Sequence, residues 1–315
     1  MNFSVIIPLY NKADTIERAI RSVLRQTCQD FEIVVVDDGS EDNGAEIVVQ
    51  IHDPRICLIR QANGGVSAAR NTGIANAKYD FVTFLDADDE YLPDYLETLS
   101  CLIQHYPDTA IWGTCYEFQM PDGRKVNPKI NGIPADFEGY LPNYFEIASK
   151  SAPPLWTGAV CIRKKVLQDI GGFPVGIRSG EDLLTWARLC SQYTLVYNMR
   201  ICSCFFQTYA HRLQIGHTRR MYVANDYVGN ELIKLLFEVP IELRKDLRKY
   251  ISAWYKMQAH VAFRNERTFC TIKYTIKSLR YDLCNYRVIY YGISSLLPNF
   301  INTKVIQVLR VFKHY

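Results

Sequence analysis

The 315 residues predict an α/β fold: a mostly parallel central sheet flanked by helices, followed by a helical C-terminal region. Three observations point there. Short apolar, β-branched runs alternate with amphipathic stretches along the front of the chain. Those runs are almost continuously apolar, as in strands covered on both faces. Beyond about residue 215 the texture changes to helical segments dense in Lys, Arg and Tyr.

Phe3 to Pro8 (FSVIIP) reads as the first strand. Ile16, Ala19, Ile20, Val23 and Leu24 fall on one helical face, with Asn11 as the expected N-cap. Phe31 to Val36 is a second buried strand, and Ile56 to Ile59 a third. Val66 to Ala77 reads as a helix interrupted by Gly73. Phe81 to Leu85 is the fourth strand. A helix from Asp94 to His105 and a strand over Ala110 to Tyr116 follow. Residues 119–155, rich in Pro, Gly and Asn, read as a long loop or small excursion, and patterning resumes from Trp156 to Phe206. The boundary at residue 215 separates an α/β domain, 1–215, from a basic helical region, 216–315.

Composition narrows the function. With 48% hydrophobic and 22% charged residues and a net charge of +3, the chain is neither disordered nor a multi-span membrane protein. The longest uncharged stretch, Val288 to Thr303, is 16 residues and contains Ser, Asn, Gly and Pro, too short and polar for a span. No secretory signal is visible, and the ten cysteines are scattered without a C-x-x-C pair. Both features lead us to expect reduced, mostly buried thiols and a cytoplasmic location.

In a parallel α/β sheet, ligands bind beyond the strand C-termini. The polar clusters sit there: Leu9-Tyr10-Asn11, Asp37-Asp38-Gly39-Ser40 and Asp86-Ala87-Asp88-Asp89. PLYNKAD after the first strand has no glycine, so the glycine-rich dinucleotide turn is missing, and no P-loop occurs either. Asp86 and Asp88, two residues apart at a strand mouth, can approach one Mg²⁺ or Mn²⁺ that takes other ligands from phosphates; an Asp-rich helix cap is the plainer reading. Asp38 can bond a base or ribose, or simply shape an Asp-Gly turn. Asn63-Gly64-Gly65 runs into a helix that carries Arg70, placed either to reach a diphosphate or to face solvent. Glu181-Asp182 opens an amphipathic helix, an electrostatically ordinary place for acids.

Taken together, SVIIPLYNKADTIERAIRSVLRQT, FEIVVVDDGSEDN, NGGVSAARNTGI, FVTFLDADDEYLP and GGFP…SGEDLLTWARL resemble the family-2 glycosyltransferases, inverting enzymes of GT-A fold that build bacterial surface glycans. The resemblance implies a nucleotide-diphosphate sugar donor, most often a UDP-sugar. Pro8, Tyr10 and Asp38 would hold the base, Arg70 would contact the donor, and Asp86 would face the ribose or sugar. Asp88 would hold a divalent cation (Mn²⁺ or Mg²⁺), and Asp182, beside Glu181, would be the general base. Trp156 would border sugar and acceptor, as would Gly158 and Phe173, although core packing suits Phe173 better. His211 and Arg212 would lie over the diphosphate or on the surface. The acceptor would be a glycan or lipid-linked sugar hydroxyl. Two other classes remain open: a nucleotidyltransferase, which PLYNKAD fits poorly, and a nucleotide-sugar binder without turnover.

Charge is unevenly spread. From Ile241 onward there are 14 Lys/Arg against 4 Asp/Glu, or +10, leaving 22 against 29, or −7, for the rest. The basic region suggests an anionic membrane surface, with Lys304 to Lys313 lying in the interface, or a helical partner or homodimer face. Nucleic acid is disfavoured because no recognition motif accompanies the charge.

Overall fold

The computed structural model describes residues 1–207 and 225–296. It divides into two compact units, Met1–Ile215 and Gly216–Tyr315.

The first unit begins with β1 (Phe3–Leu9), α1 (Ala13–Leu24), β2 (Phe31–Asp37), α2 (Gly44–Gln50), β3 (Ile56–Arg60), α3 (Val66–Asn76) and β4 (Phe81–Phe84). Then come β5 (Glu90–Tyr91), α4 (Tyr95–His105) and β6 (Ile111–Gln119). The excursion holds β7 (Lys125–Val126), β8 (Glu138–Tyr140) and α5 (Tyr144–Lys150). The unit closes with β9 (Val160–Arg163), α6 (Lys164–Asp169), α7 (Glu181–Cys190) and β10 (Leu195–Phe206).

One mixed sheet runs β3-β2-β1-β4-β9-β6-β10-β5, with β7 on β6 and β8 on β10. β3, β2, β1 and β4 are parallel, with Phe3 paired to both Phe31 and Phe81. β9 then intervenes antiparallel to both β4 and β6, while β6 and β10 run parallel to each other. The chain builds outward from β1 to β3 and then returns to the other side of β1 to lay down β4. That reversal opens a crevice at the carboxyl ends of β1 and β4.

The apolar runs bury as their pattern demands. Val5, Ile6, Ile7, Ile33, Val35 and Val36 are fully buried, and α1 packs Ile16, Ala19, Ile20 and Val23 against the sheet. One hydroxyl sits deep in the core without penalty: Thr83 Oγ1 bonds Tyr91 and Tyr95 hydroxyls at 2.9 and 2.8 Å and donates to the Val160 carbonyl at 2.9 Å.

Three expectations change in detail. Asn11 does not cap α1. It sits at φ 50 and its Oδ1 accepts from Glu41 N–H at 2.8 Å, while the helix start is satisfied by Asp42 Oδ2, which accepts from Ala13 N–H at 2.8 Å. Gly73 does not interrupt α3, which is continuous; a Cβ there would stand 2.3 Å from Ile6 Cγ2, so the glycine lets α3 lie directly on β1. All ten cysteines are free thiols; Cys57, Cys101 and Cys284 are exposed, so the thiols are less uniformly buried than expected.

The second unit contains α8 (Tyr227–Glu238), α9 (Ile241–Arg264), α10 (Thr268–Tyr281) and α11 (Ile289–Ser294). Asp226 caps α8 by accepting from Gly229 N–H at 3.0 Å and also accepts from Trp254 Nε1 at 3.0 Å. α9 and α10 meet through stacked Tyr255 and Tyr274 rings and through Ser252 and Ser278, which exchange hydrogen bonds. His211, Arg212 and Lys304 to Lys313 lie outside the described residues.

Gly73→Ala forces overpacking between α3 and β1. The expected cost is about 1–3 kcal/mol, read as a lower denaturation midpoint with an unchanged slope.

Candidate active site

The crevice between β1 and β4 is a cleft of about 460 Å³. Its walls include Pro8, Tyr10, Lys12, Asp38, Gly65, Arg70, Asp86, Asp88 and Glu181. Residues up to 173 positions apart in sequence thus meet at one place, each delivered by the end of a strand or the start of a helix. Tyr10 is 45% exposed although it directly follows a fully buried strand, so its ring is available to the cleft.

Asp37 and Asp38 divide their labour. Asp37 Oδ1 accepts from Ser40 N–H at 3.0 Å and closes the turn. Asp38 is buried; its Oδ1 accepts from Gly64 N–H and Gln61 Nε2 at 2.9 and 2.6 Å, and its Oδ2 from Gly65 N–H at 2.8 Å. Asp38 therefore fixes the glycine loop that leads into α3. An ionised carboxylate has about four lone-pair sites, so one remains for a ligand.

α3 places Arg70 on the cleft floor, where it is 3% exposed rather than facing solvent. Its Nη2 donates to Asp86 Oδ1 at 2.9 Å, and its Nη1 lies 3.7 Å from Glu181 Oε1. The Phe173 ring lies below, 5.2 Å from the guanidinium. Burial works against the charge, but Asp86, Glu181 and Asp182 outweigh it and hold the guanidinium firmly protonated. Nε and Nη1 are buried and have no hydrogen-bond partner among the described residues.

Glu181 and Asp182 sit at the start of α7, behind Gly180 in the left-handed conformation. They point differently. Glu181 lines the cleft, and burial together with the neighbouring Asp182 pushes its carboxyl up to about 7, against the pull of Arg70. Asp182 is not part of the cleft lining; its Oδ1 accepts from Leu183 N–H at 2.7 Å, and its charge acts on both Arg70 and Tyr116. Tyr116 belongs to an aromatic group with Trp156, Phe118 and Phe205: Trp156 lies 5.2 Å from the Tyr116 ring and 4.9 Å from that of Phe205. Trp156 Nε1 is buried and lacks a partner among the described residues. Phe173 is core, edge-on to Phe84 and Trp186.

The Asp86–Asp89 turn is held from both sides. Asp88 Oδ2 accepts from Lys12 Nζ at 2.5 Å, so a cation already faces this carboxylate at the cleft. Among the described residues no third protein ligand joins the pair to form a metal cage. Asp86 and Asp88 are the residues here that could hold a divalent ion, and each already faces a cation, Arg70 and Lys12 respectively.

Two members of the site escape sequence reading. Arg18 looks like an ordinary solvent-facing arginine of α1, yet it donates to the Asp88 carbonyl, pairs with Glu90 at 3.0 Å and stacks 3.8 Å above the Phe206 ring. Asp89 is buried, and its Oδ1 accepts from Phe206 N–H at 3.0 Å, tying the turn to the end of β10. Burial, then Asp86 and Asp88, push its carboxyl well above the usual range. Only the density of acids in DADDE hints at either role.

With that geometry in view, comparison with known proteins is decisive. Residues 4–171 match the model of glycosyl transferase family 2. The chain belongs to that family. An uncharacterized glycosyltransferase of Nostoc sp. is 40% identical over 279 residues, covering 81% of this chain and 83% of its own. Glycosyltransferase GlyA of Streptococcus pneumoniae is 42% identical over 122 residues, 38% of this chain but 18% of GlyA. A Rickettsia felis glycosyltransferase is 33% identical over 197 residues, 61% of this chain and 31% of its own, so the chain spans under a third of these two relatives. In fold, the chain is similar to residues 1–349 of S. aureus TarS, solved in complex with UDP-GlcNAc: TM-score 0.69, 19% identity, 94% of this chain and 89% of that one. The GT-A-type architecture expected from the sequence is the one observed.

Glu181 gives a signed pH test. Its folded-state value, about 7, lies above the ordinary 4.5, so the folded protein keeps this proton longer than the unfolded chain does. The group therefore subtracts stability as pH rises from about 4.5 to 7. Glu181→Gln is expected to remove that decline, seen as a smaller difference between denaturation midpoints at the two ends of the window.

Proposed function

We propose that the chain is an inverting glycosyltransferase that moves a sugar from a nucleotide diphosphate, most simply a UDP-sugar, to a hydroxyl of a glycan or lipid-linked sugar. The observation that carries this is the convergence of Asp86, Asp88 and buried Arg70 with Pro8 and exposed Tyr10 in one cleft at the sheet's reversal point. The TarS complex with UDP-GlcNAc supports the donor class.

In this reading Pro8, Tyr10 and the Asp38-braced loop receive the base, with the Tyr10 ring against its face. Asp86 orients the ribose or sugar. Arg70 offers buried N–H groups to the diphosphate, where the gain grows as negative charge develops on the departing phosphates. Asp88, with Asp86 beside it, would hold Mn²⁺ or Mg²⁺. That ion, when bound, supplies further neutralisation of the diphosphate. A single displacement needs no carboxylate nucleophile, only a base for the acceptor hydroxyl. Asp182, whose charge acts on both Arg70 and Tyr116, takes that proton, and the half-buried Trp156 and Phe205 rings give an acceptor sugar an apolar face to lie on.

A second assignment of the base has its own support. Glu181 lines the cleft, and its carboxyl near 7 is poised for proton transfer at neutral pH.

The pair of assignments is separable. Asp182→Asn is expected to lower transfer by about 10²- to 10⁴-fold while leaving melting-temperature shifts caused by UDP-sugars intact. If Glu181→Gln produces that loss and Asp182→Asn does not, the base is Glu181. The donor itself is read by screening nucleotide sugars with Mn²⁺ or Mg²⁺ in thermal melts; the right one at about 100 times its Kd adds about 2.7 kcal/mol, and no stabilisation by any nucleotide sugar refutes the donor reading.

A further inference from the structure

The second unit carries a surface whose polarity is inverted. α10 turns Thr271, Tyr274, Thr275 and Ser278 inward, where the hydroxyls of Ser278 and α9's Ser252 bond each other and Asn285 Nδ2 donates to both. Its outward face presents Phe269, Lys273, Ile276 and Arg280, spaced four, three and four residues apart and therefore on one narrow stripe. Phe269 is 79% exposed, and Leu283, just past the end of α10 and the extended Asp282, is 80% exposed. Thr268 Oγ1 donates to the Ser295 carbonyl at 3.0 Å, which brings the chain at exposed Leu296 alongside the start of the stripe.

A soluble helix ordinarily does the reverse, burying its apolar side chains and exposing its hydroxyls. Apolar residues alternating with cations along one exposed face are complementary to an apolar medium beneath a negative surface. The charge agrees: the exposed cations from Arg267 to Leu296 are Arg267, Lys273, Arg280 and Arg287, against one acid, Asp282, a net of +3, while Lys277 turns inward over the Tyr255 ring, 4.0 Å from Asp226. None of the described helices is long and apolar enough to cross a membrane.

We propose that the α10 stripe, Phe269, Lys273, Ile276 and Arg280 with Leu283, docks this protein on an anionic phospholipid surface. The apolar side chains enter the headgroup boundary while the cations meet lipid phosphates. The docking is electrostatic as well as apolar, so it weakens with salt. It places the membrane contact on α10 itself, independent of Lys304 to Lys313, and it does not depend on the transferase reading.

The test is vesicle flotation of the full chain with phosphatidylcholine vesicles, with and without phosphatidylglycerol. Wild type is expected to float with the anionic vesicles and remain behind with neutral ones. Phe269→Ser/Ile276→Ser/Leu283→Ser and Lys273→Gln/Arg280→Gln change only exposed positions, so both stay folded, confirmed by unchanged melting temperatures. Each is expected to lower partitioning by about tenfold or more. Equal flotation of wild type and variants overturns the proposal. So does binding to neutral vesicles as strong as to anionic ones. A third contrary result is a wild type that ignores vesicles but self-associates in sedimentation, with the same substitutions abolishing the association; the stripe is then a face between two copies.

Discussion

The buried guanidinium of Arg70 is the interaction on which the site depends. It draws together a carboxylate from the end of β4 and another from the start of α7, segments nearly a hundred residues apart. A charge this deep is costly unless it is paired, and a pair this deep is costly unless both partners are well placed. The arrangement therefore specifies where Asp86 and Glu181 stand more than it adds stability. It also leaves Arg70 Nε and Nη1 buried without a hydrogen-bond partner among the described residues. In the donor reading, those groups are the donors a diphosphate would meet.

Around that floor the fold supplies geometry at little cost. Gly73 lets α3 lie close on β1, which sets how far Arg70 lies from the sheet end. Asp38 fixes the loop before α3 through two backbone N–H groups. Arg18 and Asp89 brace the Asp86–Asp88 turn against α1 and β10. Each device constrains the backbone carrying a pocket residue, so that the pocket is formed before any ligand arrives.

Much of this was legible in the chain. The parallel strands showed as continuous apolar runs, and the acidic clusters directly followed them. Pairing partners did not show: VCIR at Val160–Arg163 is too short for its periodicity to reveal that β9 enters antiparallel between β4 and β6. α2 was missed because seven residues give too little pattern. Arg70 was readable as a donor contact, but its burial was not, since a helix arginine looks the same wherever its helix packs. Asn11 has a cap's chemistry, yet Asp42 reaches α1 from another loop, a long-range substitution that local sequence cannot announce.

The most direct measurement is the thermal melting of Arg70→Lys, alone and with a saturating UDP-sugar and Mn²⁺. Lysine keeps the charge but lacks the planar fork that spans two carboxylates. The account predicts a lower melting temperature without ligand and a clearly smaller ligand-induced rise than in wild type. Wild-type values for both would contradict it.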